Sequence, residues 1–64
     1  MIHVNGADDE FVNESVEALL ARRGVEPRGV AVAIDGEVVP RSAWTSTLIP
    51  DRGHVEIVTA AAGG

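Results

Sequence analysis

VAVAIDGEVVP, residues 30–40, carries the clearest local signal in the sequence. Val30, Val32 and Ile34 alternate with Ala31 and Ala33, the period of two expected of a β-strand with one buried face. Asp35-Gly36 follows, a dipeptide that accepts positive φ at both central positions of a two-residue turn. Glu37-Val38-Val39 then runs back as the partner arm, and Pro40, which has no N–H for a sheet ladder, halts it. The stretch reads as a β-hairpin.

The amino-terminal side repeats the device. Ile2 and Val4 alternate with His3 and Asn5, and Asn5-Gly6 is a second hairpin turn. Its return arm, Ala7 to Val12, is acidic and weakly patterned, as suits an edge strand whose charges discourage pairing with other chains. Asn13 or Ser15 can cap the helix that follows, with Glu14 and Glu17 near the positive end of its dipole. Val12, Val16, Leu19, Leu20 and Arg23 recur at three- and four-residue spacing, giving one apolar stripe. Arg22 and Arg23 suit the carboxyl end of the helix, Gly24 ends it, and Val25 to Gly29 is a connector.

On the carboxyl side, a loop carrying Trp44, Leu48, Ile49 and Pro50 leads into His54-Val55-Glu56-Ile57-Val58-Thr59, which reads as the last strand. The order is β-β-α-β-β-β. It predicts an α+β fold with a mixed sheet of four to five strands and one helix packed across one face. Residues 1–58 are expected to form the domain and residues 59–64 a flexible tail.

At 64 residues the chain lies near the lower limit for independent folding, since a domain of this size buries only about 60% of its unfolded surface. So thin a body leaves little material for the walls of a catalytic cleft. The absence of cysteine excludes disulfides, thiolate metal sites and thiol chemistry. A net charge of −5, with Asp8, Asp9, Glu10, Glu14 and Glu17 crowded toward the front, disfavours nucleic acid and anionic membranes and suits a partner with a basic surface. No apolar run reaches the ~20 residues of a membrane span. With no signal-like start either, the expected location is cytoplasmic and the free chain is expected to be a monomer.

Catalytic constellations are missing: there is no P-loop, no dinucleotide-binding glycine pattern and no activated nucleophile. Ser42, Thr45 and Ser46 read as turn hydroxyls. His3 and His54 meet if the first and last strands are neighbours, but two ligands do not make a metal site, so no metal is expected. Alternation sends His3, Ala31, Ala33, His54, Glu56 and Val58 to the face away from the helix. That flat, weakly apolar face, with Val58, Ala31 and Ala33, is the candidate partner interface. Trp44 reads as a core lid, Arg41 as a solvated charge, and Asp8-Asp9-Glu10 as a soluble edge.

The sequence finishes in TAAAGG, residues 59–64. Gly63 and Gly64 lack Cβ atoms and can thread a narrow channel, and the Gly64 carboxylate is fully charged at neutral pH. Six extended residues reach roughly 20 Å, enough to carry that group into another protein's active site.

IHVNG at 2–6, VAVAIDGEVVPRSAW at 30–44, VEIVTA at 55–60 and the final Gly-Gly together resemble the ubiquitin-like (β-grasp) sulfur carrier proteins of thiamine biosynthesis, the ThiS branch of the ThiS/MoaD family. The resemblance covers nearly the whole chain. It implies a carrier rather than an enzyme, with no bound cofactor. An E1-like adenylyltransferase would use ATP to convert the Gly64 carboxylate into an acyl-adenylate. A cysteine desulfurase or sulfurtransferase would supply persulfide sulfur, giving a thiocarboxylate that thiazole synthase takes as sulfur donor. Gly64 would carry the covalent chemistry and Gly63 would give access. Two positions depart from the family pattern: Gly53-His54 stands where Gly-Asp is common, and Ala60-Ala61-Ala62 replaces a third tail glycine. The proline-rich stretch usual in the molybdopterin-synthase small subunit is absent, which favours the thiamine branch. A carrier for molybdopterin or cysteine synthesis, a protein modifier conjugated through Gly64 to lysines, and an interaction domain remain alternatives. The absence of cysteine and lysine fits an activated carrier, which then has no side-chain thiol or amine to consume its own acyl group.

Overall fold

The structure, a computed structural model, describes residues 1–59. Five strands form one sheet: β1 (Ile2–Val4), β2 (Ala7–Asp9), β3 (Val30–Ile34), β4 (Glu37–Val39) and β5 (His54–Thr59). Their order across the sheet is β2-β1-β5-β3-β4. The last strand is thus central, parallel to β1 and antiparallel to β3. One helix, α1 (Val16–Arg22), covers a single face.

Both expected hairpins form. Asn5 and Gly6 have φ of 52° and 83°, and Asp35 and Gly36 have 50° and 85°. Positive φ at both central positions is the type I′ geometry whose twist matches the flanking strands. Val4 therefore pairs with Ala7, and Ile34 with Glu37. The return arm of the first hairpin is shorter than its composition suggested. It ends at Asp9, and Phe11 and Val12 lie exposed in the passage to the helix.

The helix has only seven residues, too few to persist by propensity alone. Tertiary contacts satisfy its ends. Ser15, not Asn13, is the N-cap: its hydroxyl accepts the Ala18 N–H at 3.1 Å. The preceding orphan donors, the Val16 and Glu17 N–H groups, reach the Thr47 and Trp44 carbonyls at 3.0 and 3.2 Å. At the other end Gly24, with φ of 68°, donates to Ala21 O while Val25 donates to Leu20 O, the paired bonds of a Schellman stop. Val12 falls outside the helix and Arg23 is its C-cap, so the buried stripe reduces to Val16, Leu19 and Leu20.

Those three meet Ile2, Val4, Val32 and Val55 from the sheet, with Trp44 and Ile49 from the loop closing the open side. All nine are nearly inaccessible, and among the described residues no polar or charged side chain is buried. The strand residues expected to face the helix do so. Val30, Ile34 and Ile57, nearer the rim, are half-buried against the same core.

Trp44 is a core residue, as expected of a lid. Its indole N–H donates to the Val39 carbonyl at 2.9 Å, which ties the loop to the edge strand β4. A single turn of 3₁₀ helix, Arg41–Ala43, sets it in place. Arg41 is not simply a solvated charge. Its guanidinium carbon lies 5.0 Å from the Trp44 ring centroid, and Nη2 donates to the Pro27 carbonyl at 2.9 Å. One side chain thereby fastens the connector and the lid together.

Candidate functional site

The candidate site is the carboxyl end of β5, together with the sheet face opposite the helix. Gly63 and Gly64, named above as access and reacting residues, lie outside the described residues. The structure does define what holds the strand that leads to them.

β5 is flanked on both sides over its first half. His54 and Val55 pair with His3 and Val4 of β1, while all of Val55 to Thr59 pairs with β3. The two hairpin turns then bond this strand with their side chains. Asp35 Oδ1 accepts the His54 N–H at 3.0 Å, and the Asp35 N–H donates to His54 O at 2.8 Å. Asn5 donates its backbone N–H to Val55 O at 2.9 Å. The Asn5 side-chain amide reaches one step further along, accepting the Ile57 N–H at 2.8 Å and donating to Ile57 O at 3.3 Å. Beyond Val55 the chain of β1 has turned away into β2, and the Asn5 carboxamide takes the position a further β1 residue would have occupied. Asn and Asp were read in the sequence only as turn formers. Their second role lies in contacts 52 and 19 residues away.

The start of β5 is equally constrained. Gly53 donates to Pro50 O at 3.0 Å and its carbonyl accepts the His3 N–H at 2.9 Å. A Cβ at Gly53 would sit 2.9 Å from Pro50 O and 3.1 Å from Pro50 Cγ, so the glycine is required by close approach. The turn is completed by Arg52 at φ of 68°, whose N–H donates to Met1 O at 2.8 Å. The Met1 ammonium meets Asp51 Oδ1 at 2.9 Å and holds that carboxyl below its ordinary value.

On the outer face, register sets the neighbours. Asp8, His3 and His54 form one row: His3 Nδ1 is 2.9 Å from Asp8 Oδ1, and the two imidazoles stack with centroids 4.6 Å apart. The histidines do meet, as the strand order required, and among the described residues no cluster of three or more metal-ligating groups forms. Glu56, Ala33 and Val38 form the next row, and Val58 with Ala31 the last. Ala31 and Val58 are exposed and Ala33 is half-buried, so the three interface candidates share one continuous patch. Val38, the most exposed large apolar side chain at 72%, completes it. Alternation within one strand does not mark Val38, but pairing across Asp35-Gly36 places it opposite Ala33.

The acidic stretch is partly structural. Asp9 points to the helix face, where Arg23 Nη1 meets Oδ2 at 2.6 Å and Arg22 Nη1 lies 3.5 Å from Oδ1. The Glu10 N–H also donates to Asp9 at 2.7 Å, and these bonds, led by that of Glu10, hold its carboxyl below the ordinary value. Glu14 lies ahead of the helix rather than in its first turn, and accepts from Arg22 Nε at 2.9 Å. That bond chiefly raises the Arg22 pKa.

A ubiquitin-like β-grasp domain is defined by this arrangement: two hairpins, one helix across the sheet, and a last strand running centrally and parallel to the first. Compared with known proteins, residues 2–64 match the model of the ThiS family, and the chain belongs to that family. It is similar to the crystal structure of the thiamine biosynthesis protein ThiS from Geobacter metallireducens, with a TM-score of 0.80 and 31% identity over 98% of this chain and 97% of that one. The solution structure of a thiamine biosynthesis protein from the same organism gives 0.76 and 31% over 98% and 86%. The chain is also 39% identical over 62 residues to a thiazole synthase of Paramagnetospirillum magneticum, spanning 95% of this chain and 19% of that protein. It thus covers about a fifth of the length of that curated relative.

Proposed function

We propose that this chain is the sulfur carrier for the thiazole ring of thiamine, with the Gly64 carboxylate as its reacting group. The observation that carries the reading is the match of residues 2–64 to the ThiS family, which takes in the Gly63-Gly64 pair. The thiazole synthase relative supports thiazole synthase as the recipient.

The chemistry follows from what a carboxylate lacks. It is a poor electrophile, so a Gly64 oxygen attacks the α-phosphorus of ATP in an E1-like adenylyltransferase, pyrophosphate leaves, and a mixed anhydride forms. The terminal sulfur of a persulfide on a desulfurase or sulfurtransferase attacks the acyl carbon and AMP leaves. A second thiol opens the resulting S–S bond, and Gly64 remains as a thiocarboxylate. ATP is the partner's substrate in this scheme, and the carrier holds no cofactor. The body serves as an address, with Val58, Ala31, Ala33 and Val38 as the docking patch, and β5 as the base of the tail, with Thr59, expected to begin that tail, paired to Val30 as the last residue of the strand.

The test is ATP–pyrophosphate exchange by the adenylyltransferase with the carrier as acceptor. Exchange is expected with the full chain and lost on deletion of Gly64. Equal exchange by the truncated chain refutes the assignment of the reacting group.

A further inference from the structure

β5 has one weak side. On the β3 side it is paired from Val55 to Thr59, but on the β1 side the backbone ladder stops at Val55. In extended chain, groups that face the same neighbour recur every second residue, and the carbonyls of Gly53 and Val55 both accept on the β1 side. Ile57 is next in that series, and its N–H and C=O would look out over the turn with no backbone to meet them. Both are instead engaged by one side chain, the Asn5 carboxamide. Ile57 stands two residues before Thr59, where the described chain ends.

From this geometry we infer that Asn5 is a positioning residue for the reaction of Gly64, acting through β5: it fixes the line along which the arm leaves the body. The inference rests on the carrier function proposed above. Asn5 is the first central residue of its turn, with φ of 52°, so the hairpin holds its Cα beside β5, and the two bonds to Ile57 fix the carboxamide there. Among the described residues, the strand pairing of Thr59 is with Val30. Release of Ile57 therefore lets the final residues of β5 peel from one edge, which moves Thr59, the point from which the rest of the chain must reach a partner's active site. Delivery of a reacting atom tolerates little such error, since misplacement by about 1 Å can cost up to about a hundredfold in rate. Asn5 does both jobs, and two substitutions separate them. Glycine keeps the turn and loses both bonds, whereas aspartate keeps the turn and the acceptor for the Ile57 N–H but has no donor for its carbonyl.

Asp35 provides the internal control. It occupies the same turn position in the other hairpin and bonds β5 at its opposite end, through His54. Asn5→Gly and Asp35→Gly each remove a β5 clamp while leaving a glycine that accepts the turn geometry. If the clamps are merely structural, the two variants act alike. If Asn5 positions the arm, only its loss affects delivery.

The experiment measures ATP–pyrophosphate exchange by the adenylyltransferase against carrier concentration, with amide hydrogen exchange on the free carriers. Expected for Asn5→Gly is a kcat about tenfold lower with KM unchanged, because docking uses the outer face and not the turn. Faster exchange at Ile57 should accompany it, Asn5→Asp should recover part of kcat, and Asp35→Gly should keep the kcat of the unaltered chain. The inference is overturned if Asn5→Gly matches the unaltered chain in kcat, if Ile57 exchange does not change, or if Asp35→Gly loses kcat equally. Failure of the unaltered chain to support exchange refutes the carrier function itself, so the two failures are distinguishable.

Discussion

Trp44 offers the sharpest test of how the fold is held. Its side chain is buried to 4% exposure and bonded to Val39 O at 2.9 Å, with Arg41 over the ring. A chain of this size commands only about 3–5 kcal/mol of stability from its core. Truncation of a buried tryptophan to alanine costs about 3–5 kcal/mol, so Trp44→Ala should be largely unfolded. Trp44→Phe is the informative variant. It loses the indole hydrogen bond, worth about 1 kcal/mol, and part of the ring area and cation–π contact, worth about another 1 kcal/mol. With a urea m-value of about 1 kcal/mol/M, the midpoint followed by far-UV circular dichroism should fall by about 2 M. The folded fraction of Trp44→Phe should retain the ATP–pyrophosphate exchange of the unaltered chain. An unchanged midpoint together with lost exchange would refute the reasoning, because it would make Trp44 a partner contact rather than a lid.

The remaining predictions concern the turn before β5, the acidic limb and the outer face. Arg52→Gly relieves a left-handed residue and keeps the N–H that bonds Met1 O, so the urea midpoint should rise by the equivalent of about 0.5–1 kcal/mol. Gly53→Ala should cost about 1–3 kcal/mol of stability in the same assay, since its methyl meets the Pro50 backbone. Asp9 has a folded pKa below the ordinary 3.8. Its stabilising contribution is therefore complete above that value and lost as pH falls through the lower, folded one. Asp9→Asn should flatten the acid limb of the stability profile and leave its shape above about pH 5 unchanged. Val58→Glu and Val38→Glu should leave stability within about 0.5 kcal/mol of the unaltered chain yet raise KM in the exchange assay, because both side chains already face solvent.

Local chemistry was legible in the sequence and distant pairing was not. Asn5-Gly6, Asp35-Gly36 and Gly24 each encode a backbone geometry within two residues, and all three behave as read. The alternation of β1, β3 and β5 fixed the inner and outer faces for the same reason and put His3 and His54 on one of them, while their meeting depends on β1 and β5 being neighbours. Misplaced residues were those whose partners lie elsewhere in the chain. Glu14 and Asp9 read as dipole and edge charges because the arginines that engage them depend on how the helix crosses the sheet. Arg41 read as solvated because its two partners, Pro27 and Trp44, are brought together only by the fold. The β5 clamps of Asn5 and Asp35 depend on the last strand entering the centre of the sheet, which hydrophobic period alone does not specify. Of the candidate site, the patch of Val58, Ala31 and Ala33 was legible from alternation, and Val38 required the hairpin register as well.

The most direct measurement is the intact mass of the full chain after incubation with ATP, the adenylyltransferase and a persulfide source. The account predicts a gain equal to the exchange of one oxygen for sulfur, located by fragmentation at Gly64 and discharged when thiazole synthase and its other substrates are added. An unchanged mass while the same enzymes charge another carrier, or appearance of the chain in covalent adducts on lysines of other proteins, would contradict it.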